Sequence, residues 1–195
     1  MCLHRFENKK IYSILNMFLE RILKMSFIHL HTHTQYSIHD AMNKIDNYVK
    51  RCKELGMEAA AITDHGVMYG AIEFYHACEK ENIKPIIGCE VYVAPKSRFE
   101  KDNKPRYNHL VLLAKNNNGY NNICQIVTEG CVGDGFYYRP RVDDEILEKY
   151  HEDIICLSAC IAGRIPQDIL SGDIEKAKED AIKYRDMFGD GNFYL

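Results

Sequence analysis

The feature that most limits what this chain can fold into is its alternation of short apolar runs with helix-periodic ones. The runs at 58–63, 84–93, 108–114, 153–159 and 192–195 have strand length and are bounded by polar or turn residues. A further strand is expected at 27–32. Between the strands, 44–55, 69–81, 119–129, 142–150, 164–171 and 173–188 read as helices. In the first of these, Ile45, Tyr48, Val49, Cys52 and Leu55 share one face and Gly56 ends it. Asp143, Asp144 and Glu145 open the 142–150 helix, where negative charge suits its dipole. Ser171-Gly172-Asp173 separates the last two helices and supplies a cap. Alternation of this kind predicts parallel β/α units.

No G-x-G-x-x-G or Walker-type loop follows a strand, which argues against a nucleotide-binding doubly wound sheet. In a β/α barrel, functional residues gather at the C-terminal ends of the strands. His31, His33, Asp64, His65, Glu90 and Cys160 fall at or near such ends, and His109 lies nearer a strand start. Six strands do not close a barrel and would leave an exposed parallel edge. The expectation is therefore a β/α barrel truncated before closure, its last strand or strands lying beyond Leu195.

The chemistry is concentrated in His29-Leu30-His31-Thr32-His33-Thr34-Gln35-Tyr36-Ser37-Ile38-His39-Asp40, which holds four of the nine histidines. On a strand, His29, His31 and His33 would share a face. Imidazoles on one face with a carboxylate nearby suit a borderline divalent ion such as Zn, Mn or Fe. Taken singly, Asp64 could be a helix cap, Glu90 an edge-strand charge, His109 a core histidine and Cys160 core filler. Their common rim gathers a mixed N/O/S donor set of the kind that clamps a phosphate ester and activates a bound water.

The net charge of −3 excludes a globally basic nucleic-acid binder, so any such contact must come from a local patch. One lies at 94–107, where Lys96, Arg98, Lys101, Lys104 and Arg106 face Glu100 and Asp102. It reads either as a solvated hairpin or crossover loop or as a phosphate-contacting patch beside an active site. The eight cysteines include no C-x-x-C and follow no secretory signal, as expected of reduced thiols in a cytoplasmic protein. Residues 1–24 carry Ile11, Ile14, Leu15, Phe18, Leu19, Ile22 and Leu23 at helical spacing. Glu20, Arg21 and Lys24 make the segment unfit to span a membrane. It is expected to be an extension ahead of a domain that starts at Met25 and runs to Leu195, incomplete at its C-terminus; an amphipathic helix docked on the domain is the other reading.

His31-Thr32-His33-Thr34, Thr63-Asp64-His65-Gly66-Val67-Met68-Tyr69-Gly70 and Ile83-Lys84-Pro85-Ile86-Ile87-Gly88-Cys89-Glu90 resemble the first motifs of the PHP (polymerase and histidinol phosphatase) superfamily. With Phe27–Ser37, Gly135-Phe136-Tyr137-Tyr138-Arg139-Pro140-Arg141 and Leu157-Ser158-Ala159-Cys160, they resemble most the branch at the N-terminus of bacterial replicative DNA polymerases, the polymerase III alpha subunits. The resemblance implies a distorted seven-stranded TIM-like barrel with up to three divalent ions (Zn, Mn or Fe). It places His31, His33 and Glu90 on one ion, Glu90, His109 and Cys160 on a second, and Asp40 and His65 on a third. Asp64 would orient the His65 loop, and His29 and His39 match no ligand position. The family completes its site with an Asp-x-His that does not follow Cys160 here.

The resemblance further implies metal-dependent 3′–5′ exonuclease chemistry, with His31, His33 and Glu90 acting through bound metal. The parent polymerase would carry its own Mg-dependent nucleotidyltransferase site downstream. DNA, the clamp and the proofreading subunit would be its partners. Lys96, Arg98, Lys101, Lys104, Arg106, Arg139 and Arg141 are the possible DNA contacts. The competing expectations are a free-standing phosphoesterase of the histidinol-phosphatase type and a non-catalytic, partner-binding domain of the polymerase.

Overall fold

Strand β2 (Lys84–Val93) is the axis of the sheet. Its first half pairs in parallel with β1 (Ala59–Ile62), Ala59 opposite Lys84 and Ile62 opposite Ile87. Its second half pairs with β3 (Asn108–Ala114) on one side and, at Tyr92 and Val93, with β5 (Arg139–Val142) on the other. The computed structural model describes residues 27–38, 40–101, 106–132 and 135–195. The sheet runs β4-β5-β2-β3-β6-β7, with β4 at Phe136–Tyr137, β6 at Ile154–Leu157 and β7 at Phe193–Tyr194; β1 pairs β2 off this path. Among the described residues the sheet is open, a mixed α/β arrangement rather than a closed barrel.

All-parallel pairing is overturned. β3 is antiparallel to both β2 and β6, while β1, β5, β6 and β7 run with β2. The cause is local: among the described residues no helix lies between β2 and β3, whereas a parallel return needs a crossover of a dozen or more residues, usually helical. The reversal answers the oddity of His109. The start of a reversed strand lies at the same rim as the ends of its neighbours. Tyr92 accordingly faces His109, and Glu90 faces Val111.

Two other expectations fail. Residues 27–34 form no strand; one tie to the 59–65 segment is Thr32, whose N–H donates to Thr63 Oγ1 (2.8 Å) and whose carbonyl accepts from Thr63 N (2.8 Å). A single residue's pairing cannot carry a ladder, although the histidine alternation imitates one. The stretch 130–140, expected as loop, contains β4 and the start of β5, a short hairpin that Tyr138 turns at φ 60°. Its glycine and tyrosine content hid the pairing. The expectations for residues 1–24, His39 and Lys104 lie outside the described residues.

Two clusters hold the sheet. Helices α1 (Ile45–Glu54) and α2 (Ala71–Glu81) pack Ile45, Val49, Cys52, Phe74 and Cys78 against Ile62 and Ile83. Helix α3 (Asn117–Cys131), α4 (Asp144–Lys149) and α6 (Ile174–Phe188) cover the other cluster, where Ile123, Ile126, Leu147, Tyr184 and Phe188 meet Val91, Leu110, Leu112 and Cys156. Side-chain caps start three of the described α-helices: Asn116 accepts from Gly119 N, Asp143 from Ile146 N, and Asp173 from Lys176 N. Helix α5 (Arg164–Leu170) follows the loop after β6. Among the described residues no helix is long and apolar enough to cross a membrane.

Gly88 lets β2 and β3 approach. A Cβ there would stand 2.2 Å from the Leu112 carbonyl oxygen, backbone that cannot rotate away. Gly88→Ala is expected to lower the urea midpoint by the equivalent of roughly 2–4 kcal/mol, as overpacking does, and to shift Glu90 two residues on. An unchanged midpoint would show that the strands separate freely.

Candidate metal centre

Glu90 is fully buried. Its backbone is held from the β1 side, its N–H donating to Asp64 O (3.1 Å) and its carbonyl accepting from Gly66 N (2.8 Å). That parallel bridge sets His65 beside it. Gly66, at φ 65°, must be glycine for a second reason: a Cβ would lie 2.7 Å from Pro140 Cγ, so the β4–β5 hairpin rests on the His65 loop. Tyr92 opposite His109, and Glu90 two residues before Tyr92, put all three side chains on one face.

Four imidazoles meet the one carboxylate. His31 Nε2 contacts Oε2, and His33 Nε2 is 3.2 Å from the same oxygen. His109 Nδ1 contacts Oε1, and His65 Nδ1 is 3.3 Å from it. The other nitrogen of His65, Nε2, is 3.3 Å from Asp40 Oδ2. His33 and His65 stack at 4.0 Å between ring centres. Burial disfavours the charged form of Glu90, but its contacts with His109, His31, His33 and His65 outweigh it and hold the carboxyl well below the usual range. Burial also works against a charged His33, yet the Glu90 hydrogen bond and charge raise its pKa above the ordinary value.

Two sets of ligand atoms therefore converge, His31, His33 and Glu90 in one, His65, Glu90 and His109 in the other. The arrangement fits divalent ions. His33 Nδ1 is buried without a hydrogen-bond partner, an expensive state for a polar atom unless something else satisfies it. Imidazole and carboxylate are the donors that borderline divalent metals take.

Asp64 is buried behind the histidines. It accepts from Thr34 N (2.6 Å), Thr34 Oγ1 (2.7 Å) and Ser37 Oγ (2.7 Å), and Ser37 Oγ accepts in turn from His65 N (3.2 Å). One carboxylate thus ties the histidine stretch to the His65 loop. Cys160 is exposed, with Sγ 3.7 Å from His109 Nδ1, and belongs to neither convergent set. The loop carrying it docks on the start of β3, where His109 N donates to Ala162 O (3.1 Å). His29 is exposed and packs edge-on against Phe27.

The basic residues divide sharply. Arg98 is buried, its guanidinium on Asp143 (2.8 Å) and Glu145 (3.1 Å). Arg141 is buried and donates to the carbonyls of Arg98 and Glu100 (2.8 Å each). Both brace the 94–101 segment from within, which corrects their assignment as DNA contacts. Lys96, Lys101, Arg106 and Arg139 are exposed. Arg139 stands 5.6 Å over the Tyr92 ring, beside the histidines.

Sequence reasoning missed Tyr92 and Tyr107, whose rings flank His65 and His109. Each lies two residues from a candidate ligand, a period-two signal that could have found them. Burial pushes the Tyr92 hydroxyl up to about 12, which keeps it protonated. Thr34 and Ser37 as the grip on Asp64 left no such signal.

The chain matches the PHP domain family over residues 29–195. Relatives described as DNA polymerase III subunit alpha include those of Treponema pallidum (47% identical over 175 residues, 88% of this chain and 15% of that one) and Borreliella burgdorferi (46% over 173 residues, 87% and 15%). The Aquifex aeolicus relative is 43% identical over 182 residues, 89% of this chain and 15% of that one. The chain spans about 15% of the length of these relatives.

Arg98→Met would strand Asp143 as a buried, unpaired charge. It is expected to cost about 3–5 kcal/mol in equilibrium unfolding; a loss below 1 kcal/mol would show the pair to be solvated.

Proposed function

The chain belongs to the PHP domain family, and we propose that it is the metal-dependent phosphoesterase domain of a replicative DNA polymerase alpha subunit, acting on phosphodiesters at DNA 3′ ends. The observation that carries this reading is the buried Glu90 carboxylate, each oxygen facing a different histidine pair. A carboxylate so placed suits a bridge between two ions. His31 and His33 would hold one ion with Glu90, and His109 the other with Glu90. Cys160 is a short movement away from joining His109, while Asp40 and the outer nitrogen of His65 would serve a third ion. When bound, such ions lower the pKa of a water and stabilise charge on attacking and leaving oxygens.

The residues of the chain do the positioning. Asp64 holds the histidine stretch and the His65 loop at fixed separation through Thr34 and Ser37. Tyr92 and Tyr107 wall off His65 and His109, limiting ring rotation. Arg139, exposed beside Tyr92, offers a cation to an incoming phosphate. Lys96, Lys101, Arg106 and Arg139 form the charged approach for DNA. We expect the sheet to close into a distorted barrel, with Zn, Mn or Fe in this domain and Mg in the polymerase site of a longer protein. Clamp and proofreading subunits would be its replisome partners in the cytoplasm.

Metal analysis of the purified full-length protein tests the centre. Glu90→Gln is expected to lose ions from both sets, His33→Ala from one, and both to reduce Mn- or Zn-dependent 3′–5′ nuclease activity at least 100-fold. Unchanged metal content and activity in these variants would end the catalytic reading. Neutralising Lys96, Arg106 and Arg139 together is expected to flatten the salt dependence of single-strand binding, by about 0.7 in log–log slope for each phosphate no longer neutralised. An unaltered slope would place the DNA path elsewhere.

A further inference from the structure

A groove of about 490 Å³ opens beside the candidate metal centre, lined by His29, Asp40, Met42, Asn43 and Tyr48 together with His31 and His33 themselves. Its volume is within the range of small-molecule sites, roughly 300–1,000 Å³. Because His31, His33 and Asp40 belong to both groove and centre, an ester held at the centre has this groove as the direct outlet for one of its substituents.

The character of the groove says what that substituent is. Met42 is 95% exposed, a large apolar side chain left in water at the edge of a polar site. His29 presents an exposed imidazole, backed edge-on by Phe27 at 4.7 Å between ring centres. These are surfaces for a flat ring: a polarizable thioether and an aromatic face. Several polar groups of the groove are already committed. Asn43 Nδ2 donates to His33 O (3.0 Å), and the Tyr48 hydroxyl lies 3.0 Å from Ala61 O, which accepts from it. A wall that stacks a ring and keeps these donors for itself suits a ligand whose base varies, since every base has a π-face.

We propose that this groove seats the terminal nucleoside of the strand whose phosphate lies at the metal centre, its base resting on Met42 and His29. The inference deepens the phosphodiesterase reading and rests on it for the source of the nucleotide. It gives His29, which matched no ligand position, a place in substrate binding.

The test measures equilibrium binding of dAMP, dTMP and inorganic phosphate to the full chain with Mn²⁺, for the unmodified protein and for Met42→Ala/His29→Ala. Both side chains are exposed, so folding is not at stake. Both monophosphates are expected to bind at least tenfold more tightly than phosphate, and the double variant to lose most of that margin while its phosphate affinity stays within twofold. Monophosphates that bind no better than phosphate, or a margin that survives the double substitution, would overturn the proposal. Hydrolysis of bis(p-nitrophenyl) phosphate separates the two readings. A nucleotide margin without hydrolysis supports the groove and defeats the phosphodiesterase, whereas hydrolysis without a margin does the reverse.

Discussion

A carboxylate with no exposure, set among four imidazoles, is the constraint on which the rest of this structure depends. Burying an ionised group is costly unless it is paired and its lone pairs are used. Glu90 meets that condition by dividing its oxygens, Oε2 toward His31 and His33, Oε1 toward His65 and His109. No three of these residues are neighbours in the chain. The fold must therefore deliver a loop, a strand extension and a reversed strand to one point. The two core clusters, on α1–α2 and on α3, α4 and α6, keep those three supports rigid against one another.

The reversal of β3 is what makes the point reachable. Were β3 parallel to β2, its first residues would lie at the opposite rim and His109 would be a strand length away. Because it is antiparallel, His109 stands opposite Tyr92 and diagonal to Glu90. The same rim receives the loop after β6, which brings Cys160 to His109. Beneath it, Asp64 makes a second, smaller convergence: it gathers Thr34 and Ser37, and its own placement follows from pairing with Glu90. The outer groove then joins the centre through His31, His33 and Asp40, so that one loop lines both.

Counting basic residues along a chain does not give a basic surface. Arg98 and Arg141 belong to the most basic stretch and the most arginine-rich hairpin, yet both are buried. The carboxylate that holds Arg98 is 45 residues away in sequence. Arg164 is likewise turned inward, on Asp144. Lys96, Lys101, Arg106 and Arg139 do face outward, and Arg139 lies over the Tyr92 ring that stacks on His65.

Much of the secondary structure was legible from periodicity. β2 and β3 lie where the apolar runs predicted them, and the helices of 44–55, 69–81 and 173–188 differ from their expected bounds by two residues or fewer. The residues that meet at Glu90 could be singled out because histidines and acids at strand ends stand out from an apolar background. Strand direction was not legible: hydrophobic period is the same for parallel and antiparallel pairs, and only the missing crossover helix at 94–107 hinted at reversal. Nor was the division of ligand atoms, since it depends on which nitrogen of each ring faces Glu90. Composition and pattern determined that this chain is an α/β domain with a donor-rich rim. The tertiary structure decided that the rim converges on one buried carboxylate, because register across β1, β2 and β3 is a property of paired strands and not of any one of them.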